Sequence, residues 1–412
     1  MALFSKNKLQ FLKILLTTLC LTVFTLNSFA FKSSLDTFLQ QATYLVKGKR
    51  VGLITNPTGV NQHLQATVDL MKANPNVNLV ALFAPEHGIR GNIEAGKLFP
   101  KSVDKTTGLP VYSMYNGPVK QPSPRALSKV DVLIYSIQDV GSRAYTYIWH
   151  LAECMKAAKK YGKTIIVLDV PNPLANVVDG PVSEKKYLSF IGLYPIPRVY
   201  GMTVGELAKY LNTEEKIHCK LYVIRMRGYN RKMSWADTKL PWVPTSPHIP
   251  SIDSAITFAA TGILGETGQV STGIGYTLPF QCVANPWIDA NHMAYTLNSY
   301  RLPGVRFRPI HYKPYYAAFK GKNIQGVQIH VIDNSQFMPA TTELAIMCYL
   351  QKYYPKNFKW LPKKFAKFDK AMGSSSVRLM IQRGYNYKQI VKAWTPRLND
   401  FKRKRAKYLL YK

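Results

Sequence analysis

Hydrophobic and polar positions alternate along most of this chain in blocks that predict strands and helices in turn. Four short runs are almost entirely apolar and are bounded by turn formers, as is typical of strands buried in a parallel sheet with helices on both faces. Segments with helical periodicity lie between them, and this repeating order indicates right-handed βαβ units. The sequence therefore predicts an α/β fold built on a Rossmann-like parallel sheet, with strands at 51–55, 79–84, 131–136, 164–168 and around 221–226, and helices at 35–46, about 64–73 and 145–161.

Polar side chains follow the first four runs at the point where each strand is predicted to end. In open α/β sheets ligands bind beyond the carboxyl ends of the strands, so we expect these side chains to share one crevice. Carboxylates held close together raise one another's pKa, which keeps one of them protonated as an acid beside an ionised partner. A plainer interpretation is that the carboxylates cap helices and the histidine only packs. The residues concerned are Asn56, Glu86 and His87, Gln138 and Asp139, and Asp169 and Asn172.

Two longer stretches interrupt the alternation. Residues 88–124 are rich in glycine and proline and too long for a simple connector, so they are a candidate lid or substrate wall. The proline-rich stretch 240–250 follows the last predicted strand, and we place a domain junction there, although a rigid surface loop would also fit. The sequence thus predicts one domain over 31–245 and a second over 246–412.

The first thirty residues have the pattern of an export signal. Lys6, Lys8 and Lys13 precede an apolar run at 14–26, and Ser28-Phe29-Ala30 offers small residues for cleavage. We predict export to the periplasm or the exterior after cleavage, with an uncleaved anchor as the alternative. Export permits one or two disulfides among the later cysteines at positions 154, 219, 282 and 348, with a pairing that the sequence does not define.

The chain is strongly basic, with 55 Lys and Arg residues against 22 Asp and Glu residues and a net charge of +33. Basic residues cluster at 352–370 and at 402–407. No acidic residue lies within 363–367 or 402–407, so we expect these side chains to have no acidic partners. In an exported protein this charge favours binding to anionic polymers and headgroups of the cell envelope, and salt would weaken that binding. Solvated helix faces are the plainer interpretation. Nucleic acid is not expected as a partner, because no zinc-finger or RNP motif accompanies the charge.

Several common chemistries lack their motifs in this sequence. The first strand-to-helix turn has no GxGxxG, and the chain contains no GxSxG. The cysteines form no CxxC pair, and His87, His248 and His311 lack ligand spacing, so we expect neither a cofactor nor a metal.

Five motifs nevertheless resemble, in order, those of the NamZ-type exo-β-N-acetylmuramidases, a family long described as a domain of unknown function. The likeness runs from about residue 36 to Tyr408–Tyr411, and several separate motifs in register make it specific. The motifs are Pro85–Gly88, Gln138–Tyr147, Leu168–Pro173, Gly201–Leu207, and Pro279-Phe280 with Pro286-Trp287.

The resemblance implies an enzyme that removes terminal N-acetylmuramic acid from the non-reducing end of peptidoglycan fragments, either muropeptides or disaccharides. It also implies a Rossmann-like domain joined to a smaller C-terminal α/β domain, with the active site in the cleft between them. The suspected catalytic glutamate of the family lies in its PEHG motif and carries over to Glu86.

The sequence departs from the family pattern at three places. Val170 replaces the arginine of DRPNP, Thr245–His248 replaces PSPN, and Glu266–Gly275 differs from the EGTN-S-GRGT stretch. Two arginines that could bind a lactyl carboxylate are therefore missing. Either other cationic side chains bind that carboxylate or the preferred sugar differs.

Glycoside hydrolysis needs a proton donor for the leaving oxygen and a group that stabilises charge at the anomeric carbon. We assign the first role to Glu86, group His87 with it as catalytic, and expect Asp139 to act as a base or to orient the 2-acetamido group. Arg143 could bind the lactyl carboxylate or pair with Asp139. The remaining candidates for substrate binding are Tyr145, Tyr147 and Trp287, whose flat faces suit a sugar ring or the core, together with Asn56, Gln138, Asp169, Asn172, His248 and Glu266.

A binding protein is the rival interpretation. An exported polycation could hold cell-wall glycan or anionic envelope polymers without cutting them. Both interpretations predict glycan binding, and only the enzyme predicts that loss of the Glu86 carboxyl abolishes turnover.

Overall fold

The structure, a computed structural model, describes residues 31–91, 93, 102–114 and 120–412. Its strands form one sheet of seven strands and one of three. The predicted export signal, residues 1–30, lies outside the described residues. The strands are β1 (Arg50–Thr55), β2 (Asn78–Ala84), β3 (Ser102–Val103), β4 (Pro110–Ser113), β5 (Val132–Ser136), β6 (Thr164–Leu168), β7 (Lys220–Ile224), β8 (Cys282–Asn285), β9 (Val305–Tyr312) and β10 (Ile324–Val331).

Helices follow the strands, and side-chain caps fix several of their first turns. Thr203, for example, forms a capping box with Glu206, which satisfies two backbone N–H groups at the start of that helix. The helices are α1 (Ser34–Gln41), α2 (Thr67–Ala73), α3 (Pro124–Leu127), α4 (Tyr147–Lys160), α5 (Val204–Glu214), α6 (Ile252–Glu266), α7 (Ala290–Ser299), α8 (Pro339–Tyr353), α9 (Pro362–Met372), α10 (Ser375–Gln382) and α11 (Tyr387–Ala406).

The seven-stranded sheet has the order β3-β4-β2-β1-β5-β6-β7, and its pairs are parallel except for β3 with β4. Both faces are buried, since Leu53 of β1 packs in one apolar cluster and its neighbour Ile54 in the other. The chain runs from β1 outwards to β2 and returns on the other side of β1 to β5. The carboxyl ends of β1, β2 and β5 therefore surround a topological switch point, and the predicted α/β fold is confirmed.

Three local predictions need correction. The stretch 88–124 is not only a loop, because β4 extends the sheet beside β2 and α3 follows it; the short apolar run of β4 is obscured by flanking turn formers. The predicted helix 35–46 ends as an α-helix at Gln41 and continues as a 3₁₀ turn at Thr43–Val46. Disulfides were possible in the sequence, yet Cys154, Cys219, Cys282 and Cys348 are all free thiols.

After β7 the chain no longer contributes to the seven-stranded sheet, and β8, β9 and β10 pair with one another in antiparallel fashion. The two parts share a continuous apolar core. A buried ion pair between Arg198 and Glu343 also joins them, with side chains 1% and 0% exposed. The exact junction at 245/246 stays a prediction.

The part of the chain that the structure describes contains no helix long and apolar enough to cross a bilayer. It also contains no group of three His, Cys, Asp or Glu side chains arranged to hold a metal ion.

Candidate active site

Glu86 lies in a tight turn immediately after β2, and packing fixes that turn in place. The next residue, His87, has a φ of 73°, a left-handed conformation that is costly for a residue with a Cβ and that clusters at functional sites. A Cβ on Gly91 would stand only 2.7 Å from Cγ of Pro57. The half-buried Glu86 is thus held on a turn that packs directly against the loop after β1.

Asn56 and Tyr147 lie beside Glu86. Burial first, and the Glu86 carboxylate in addition, raise the pKa of the Tyr147 phenol, so the two groups are close enough to interact. Asn56 is 3% exposed. Its side chain faces the Tyr147 phenol, and its Nδ2 makes no hydrogen bond of normal geometry among the described residues. Because a buried amide donor without a partner is rare in proteins, Asn56 is a candidate to donate to a bound ligand.

Tyr145 and Tyr147 form one wall of this site and tie it to the segment after β7. Their rings meet edge to face with centroids 5.1 Å apart. The Tyr145 hydroxyl donates to Oγ1 of Thr245 at 2.8 Å, and the Tyr147 hydroxyl donates to the Thr245 carbonyl at 2.6 Å. Tyr145 also contacts a second ring, that of Phe258 of α6, with centroids 5.5 Å apart. The wall therefore joins the two parts of the molecule.

His87 and His248 extend the site towards the smaller sheet. Nδ1 of His87 lies 3.0 Å from the carbonyl oxygen of Ile93, and it must carry a proton there because a carbonyl only accepts. Burial, and then the nearby His87, lower the pKa of His248. The His248 ring stacks on Tyr316, with centroids 6.2 Å apart and planes 23° apart. Groups from both parts thus lie near the Glu86 turn.

Asp139 lies beneath this surface, with 1% of the residue exposed. Its Oδ2 accepts from the backbone N–H of Gly141 at 2.7 Å and from the hydroxyl of Tyr200, and its Oδ1 has no partner among the described residues. Burial raises the pKa of Asp139 to about 6. The sequence-based reason for a raised pKa, repulsion from a second carboxylate, is wrong here, since desolvation is the cause.

Arg143 does not occupy the position that its predicted role requires. It is fully buried, and its guanidinium donates to the carbonyls of Pro181 at 2.9 Å, Ile196 at 2.8 Å and Ala371 at 2.8 Å. Burial lowers its pKa to about 9, and the partners of its guanidinium among the described residues are these carbonyls and not Asp139. We therefore assign Arg143 to the packing of the two parts against each other, because a guanidinium surrounded by carbonyls cannot also reach a lactyl carboxylate.

Asp169 also uses both carboxylate oxygens inside the protein. Oδ1 accepts from the backbone N–H groups of Val170 at 3.0 Å and Gly205 at 2.7 Å. Oδ2 accepts from the hydroxyls of Thr203 at 2.8 Å and Tyr411 at 2.7 Å. Burial raises the pKa of Asp169 to about 7 even with these four donors. Asp169 therefore anchors the end of β6, the start of α5 and the C-terminal segment.

Gln138 and Asn172 likewise satisfy backbone groups. Nε2 of Gln138 donates to the carbonyl of Pro171 at 2.6 Å. Nδ2 of Asn172 donates to the carbonyl of Met202 at 2.7 Å, and its Oδ1 accepts from the N–H of Leu174 at 2.8 Å. These predicted residues lie close to one another at the sheet edge. Their side chains fix the loops there by hydrogen bonds to backbone groups.

Glu266 and Trp287 lie in the second part and are engaged with neighbours of their own. Glu266, at the end of α6, forms a salt bridge with Lys367 of α9. Trp287 is half-buried and packs on Tyr354 with ring centroids 5.1 Å apart. Neither contact involves the Glu86 turn.

Sequence reasoning missed three residues that shape the site. Thr245 is 3% exposed and accepts hydrogen bonds from the hydroxyls of Tyr145 and Tyr147. It lies in the stretch that departs from the family's PSPN motif. Tyr200 donates to Asp139, and Tyr316 stacks on His248. Tyr316 had a detectable signal, because an adjacent pair of tyrosines in a hairpin loop is unusual for a purely solvated turn.

The fold and the site together define a two-part α/β protein with one half-buried carboxylate at the switch-point edge of its parallel sheet, next to an unsatisfied amide donor and aromatic rings. Comparisons with known proteins agree with this class. The N-terminal domain of the exo-beta-N-acetylmuramidase NamZ family matches residues 51–253, and its C-terminal domain matches residues 256–411. The chain belongs to this family.

Relatives match over nearly the whole chain. The peptidoglycan beta-N-acetylmuramidase NamZ of Bacillus subtilis (strain 168) is 42% identical over 381 residues, which cover 92% of this chain and 91% of the relative. A crystal structure of a DUF1343 family protein from Bacteroides fragilis covers 93% of this chain and 99% of its own, with a TM-score of 0.87 and 42% identity. A second such protein from that organism has the same coverage, with a TM-score of 0.73 and 28% identity.

Proposed function

We propose that this protein is an exo-acting glycoside hydrolase that releases terminal N-acetylmuramic acid from the non-reducing end of peptidoglycan fragments. The observation that carries the proposal is Glu86, the PEHG glutamate, held half-buried on a left-handed turn at the switch-point edge of the sheet. The family relationship supplies the substrate class, and this position supplies the proton donor that glycoside hydrolysis requires.

In the proposed mechanism Glu86 protonates the leaving glycosidic oxygen, and the C1–O bond breaks with the electron pair going to that oxygen. Asp139 is too deeply buried to contact the sugar, so it acts as a positioning residue for the turn at Gly141 and for Tyr200. The geometry thereby favours the substrate-assisted route, in which the oxygen of the 2-acetamido group attacks C1 and water later opens the ring that forms. Asn56, with its unpartnered Nδ2, is suited to orient that acetamido group.

The test is the Glu86→Gln variant, which removes the transferable proton and almost no volume. We expect release of muramic acid from a muramic-acid-terminated disaccharide to fall by at least about a hundredfold, the usual contribution of a general acid. Affinity for the disaccharide and the unfolding midpoint should change little. The matched control is Glu266→Gln, because Glu266 is paired at the surface with Lys367 and exposed ion pairs contribute about 0–1 kcal/mol.

Two results would contradict the proposal. If wild-type protein bound the disaccharide and released no sugar, the binding-protein interpretation would replace the enzyme. If Glu86→Gln and Glu266→Gln were equally active, the acid would have to be another residue.

The predicted export signal and the charge support a place for this activity on the cell envelope, in the periplasm or outside the cell. The net charge of +33 favours binding to anionic envelope polymers, and that attraction decreases with ionic strength.

The basic clusters are only partly available for this role, contrary to the sequence-based expectation that they lack acidic partners. Lys367 pairs with Glu266, Lys404 pairs with Glu214 at 3.9 Å, and Arg405 donates to the Gly201 carbonyl. Lys402, Arg403 and Lys407 are exposed and form the available part of the cluster, although Arg403 also contacts Asp400.

A further inference from the structure

The hairpin loop between β9 and β10 presents two adjacent tyrosines to solvent. Tyr315 is 68% exposed and Tyr316 is 50% exposed, whereas tyrosine is usually at least partly buried in a folded protein. Large exposed aromatic side chains that are clustered and rigidly held are characteristic of binding surfaces.

The loop that carries them is held in one conformation. The backbone N–H of Tyr315 donates to the carbonyl of Gly275 at 2.7 Å. A Cβ on Gly275 would stand 2.0 Å from the Tyr316 carbonyl oxygen, so the two loops touch through their backbones. Ala317 and Phe319 have φ values of 61° and 64°, a left-handed geometry that persists only where surrounding contacts enforce it. The tyrosines are therefore preorganised.

Each tyrosine ring lies on a stacked aromatic support. Tyr276 stacks between Tyr312, with centroids 4.6 Å apart, and Tyr315, with centroids 6.0 Å apart, and these rings are within 27° of parallel. Tyr312 at the base of the column is 7% exposed, and its hydroxyl donates to Oγ of Ser271 at 2.9 Å. The column thus ends in the outward face of Tyr315.

Tyr316 connects this column to the catalytic turn. Its ring stacks on His248, and His248 lies close to His87, the residue after Glu86. A sugar chain whose scissile bond lies at Glu86 has to leave the site on one side, and these rings offer flat faces along one such side. Pyranose rings carry axial C–H groups that pack well on aromatic faces, and the polar edges of the sugar remain in water.

We propose that Tyr315 and Tyr316 form a binding platform for the leaving-group side of the substrate, which stacks the neutral N-acetylhexosamine residue beyond the scissile bond. This inference rests on the proposed hydrolase function and deepens it. The platform contributes to binding of the glycan and takes no part in proton transfer. Its contribution should therefore disappear with substrates whose leaving group is not a sugar.

The test compares a muramic-acid-terminated disaccharide with a chromogenic aryl muramide. Tyr316→Ala should lower kcat/KM for the disaccharide about tenfold, which corresponds to about 1.4 kcal/mol, and should change hydrolysis of the aryl muramide less than about twofold. Tyr316→Phe keeps the ring and should restore the disaccharide value. Tyr295→Ala is the matched control, because Tyr295 of α7 is 78% exposed in the same part of the molecule.

A binding measurement separates failure of the platform from failure of the catalytic proposal. In the Glu86→Gln background, Tyr316→Ala should weaken affinity for the disaccharide about tenfold and leave affinity for free N-acetylmuramic acid unchanged. Equal losses with both sugars, equal losses with both hydrolysis substrates, or no loss at all would each overturn the platform. Absence of hydrolysis by the wild type would overturn the catalytic proposal, and the affinities would still decide on the platform.

Discussion

Replacing Tyr411 by phenylalanine removes one hydroxyl from the interior and leaves the ring in place. Tyr411 is 4% exposed. Its hydroxyl donates to Asp169 at 2.7 Å and accepts from the backbone N–H of Met226 at 3.0 Å. The Tyr411→Phe variant thus leaves a buried N–H without its acceptor and a buried carboxylate with three of its four donors.

The expected cost follows from these two losses. A hydrogen bond to a charged group contributes about 1.5–3 kcal/mol, and an unsatisfied buried N–H costs about 1–3 kcal/mol. We expect the free energy of unfolding to fall by about 3 kcal/mol at pH 8, after allowance for partial relaxation. This is a large fraction of the stability of a typical protein, which is about 5–15 kcal/mol.

The loss should also depend on pH. Burial raises the pKa of Asp169 from 3.8 to about 7, so the folded protein binds an extra proton between these values and its stability falls as the pH rises through them. The Tyr411 hydroxyl favours the ionised form of Asp169. Its removal raises the pKa of Asp169 further, so the decline extends above pH 7 and the variant loses more stability at pH 8 than at pH 5.

Urea unfolding followed by tryptophan fluorescence at pH 5 and pH 8 measures both effects. Tyr408→Phe is the matched control, since Tyr408 lies in the same segment but is only half-buried, and its hydroxyl donates to Glu214 at 2.7 Å. Hydrolysis by the folded Tyr411→Phe variant should remain near the wild-type rate, because Asp169 holds the fold together and does not contact substrate. A loss equal to that of Tyr408→Phe, or one independent of pH, would refute the reasoning.

Two further predictions concern charge. Burial raises the pKa of Asp139 from 3.8 to about 6, so the free energy of unfolding should fall by about 3 kcal/mol as the pH rises from about 4 to 6. In urea unfolding, Asp139→Asn should flatten that part of the dependence of stability on pH. An unchanged slope would contradict the raised pKa of Asp139. Changing Lys402, Arg403 and Lys407 together to glutamine, with Arg405 kept because it supports the Gly201 carbonyl, should weaken sedimentation with cell walls at low salt and leave hydrolysis of a small muramide intact. Unchanged wall binding would mean that these side chains are only a solvated helix face.

The sequence by itself determined the five central strands β1, β2, β5, β6 and β7 and their parallel sheet, because these depend on local patterns. The apolar run before Glu86 has to be buried on both faces, and a strand in a parallel sheet does this within its own few residues. Strand ends were therefore predicted to within about two residues, and the chain order of the motifs sufficed to place Glu86, His87, Gln138 and Asp139 at one edge.

Only the tertiary structure decided what each polar residue at that edge does, because a polar side chain takes its role from partners distant in sequence. Arg143 lies four residues after Asp139 in the sequence, yet one of its acceptors is Ala371, 228 residues away. Asp169 looked like a site carboxylate, and its Tyr411 donor lies 242 residues further along the chain. A buried charge must find such partners to offset its lost hydration, and no local pattern encodes which distant donor or carbonyl the fold will bring to it.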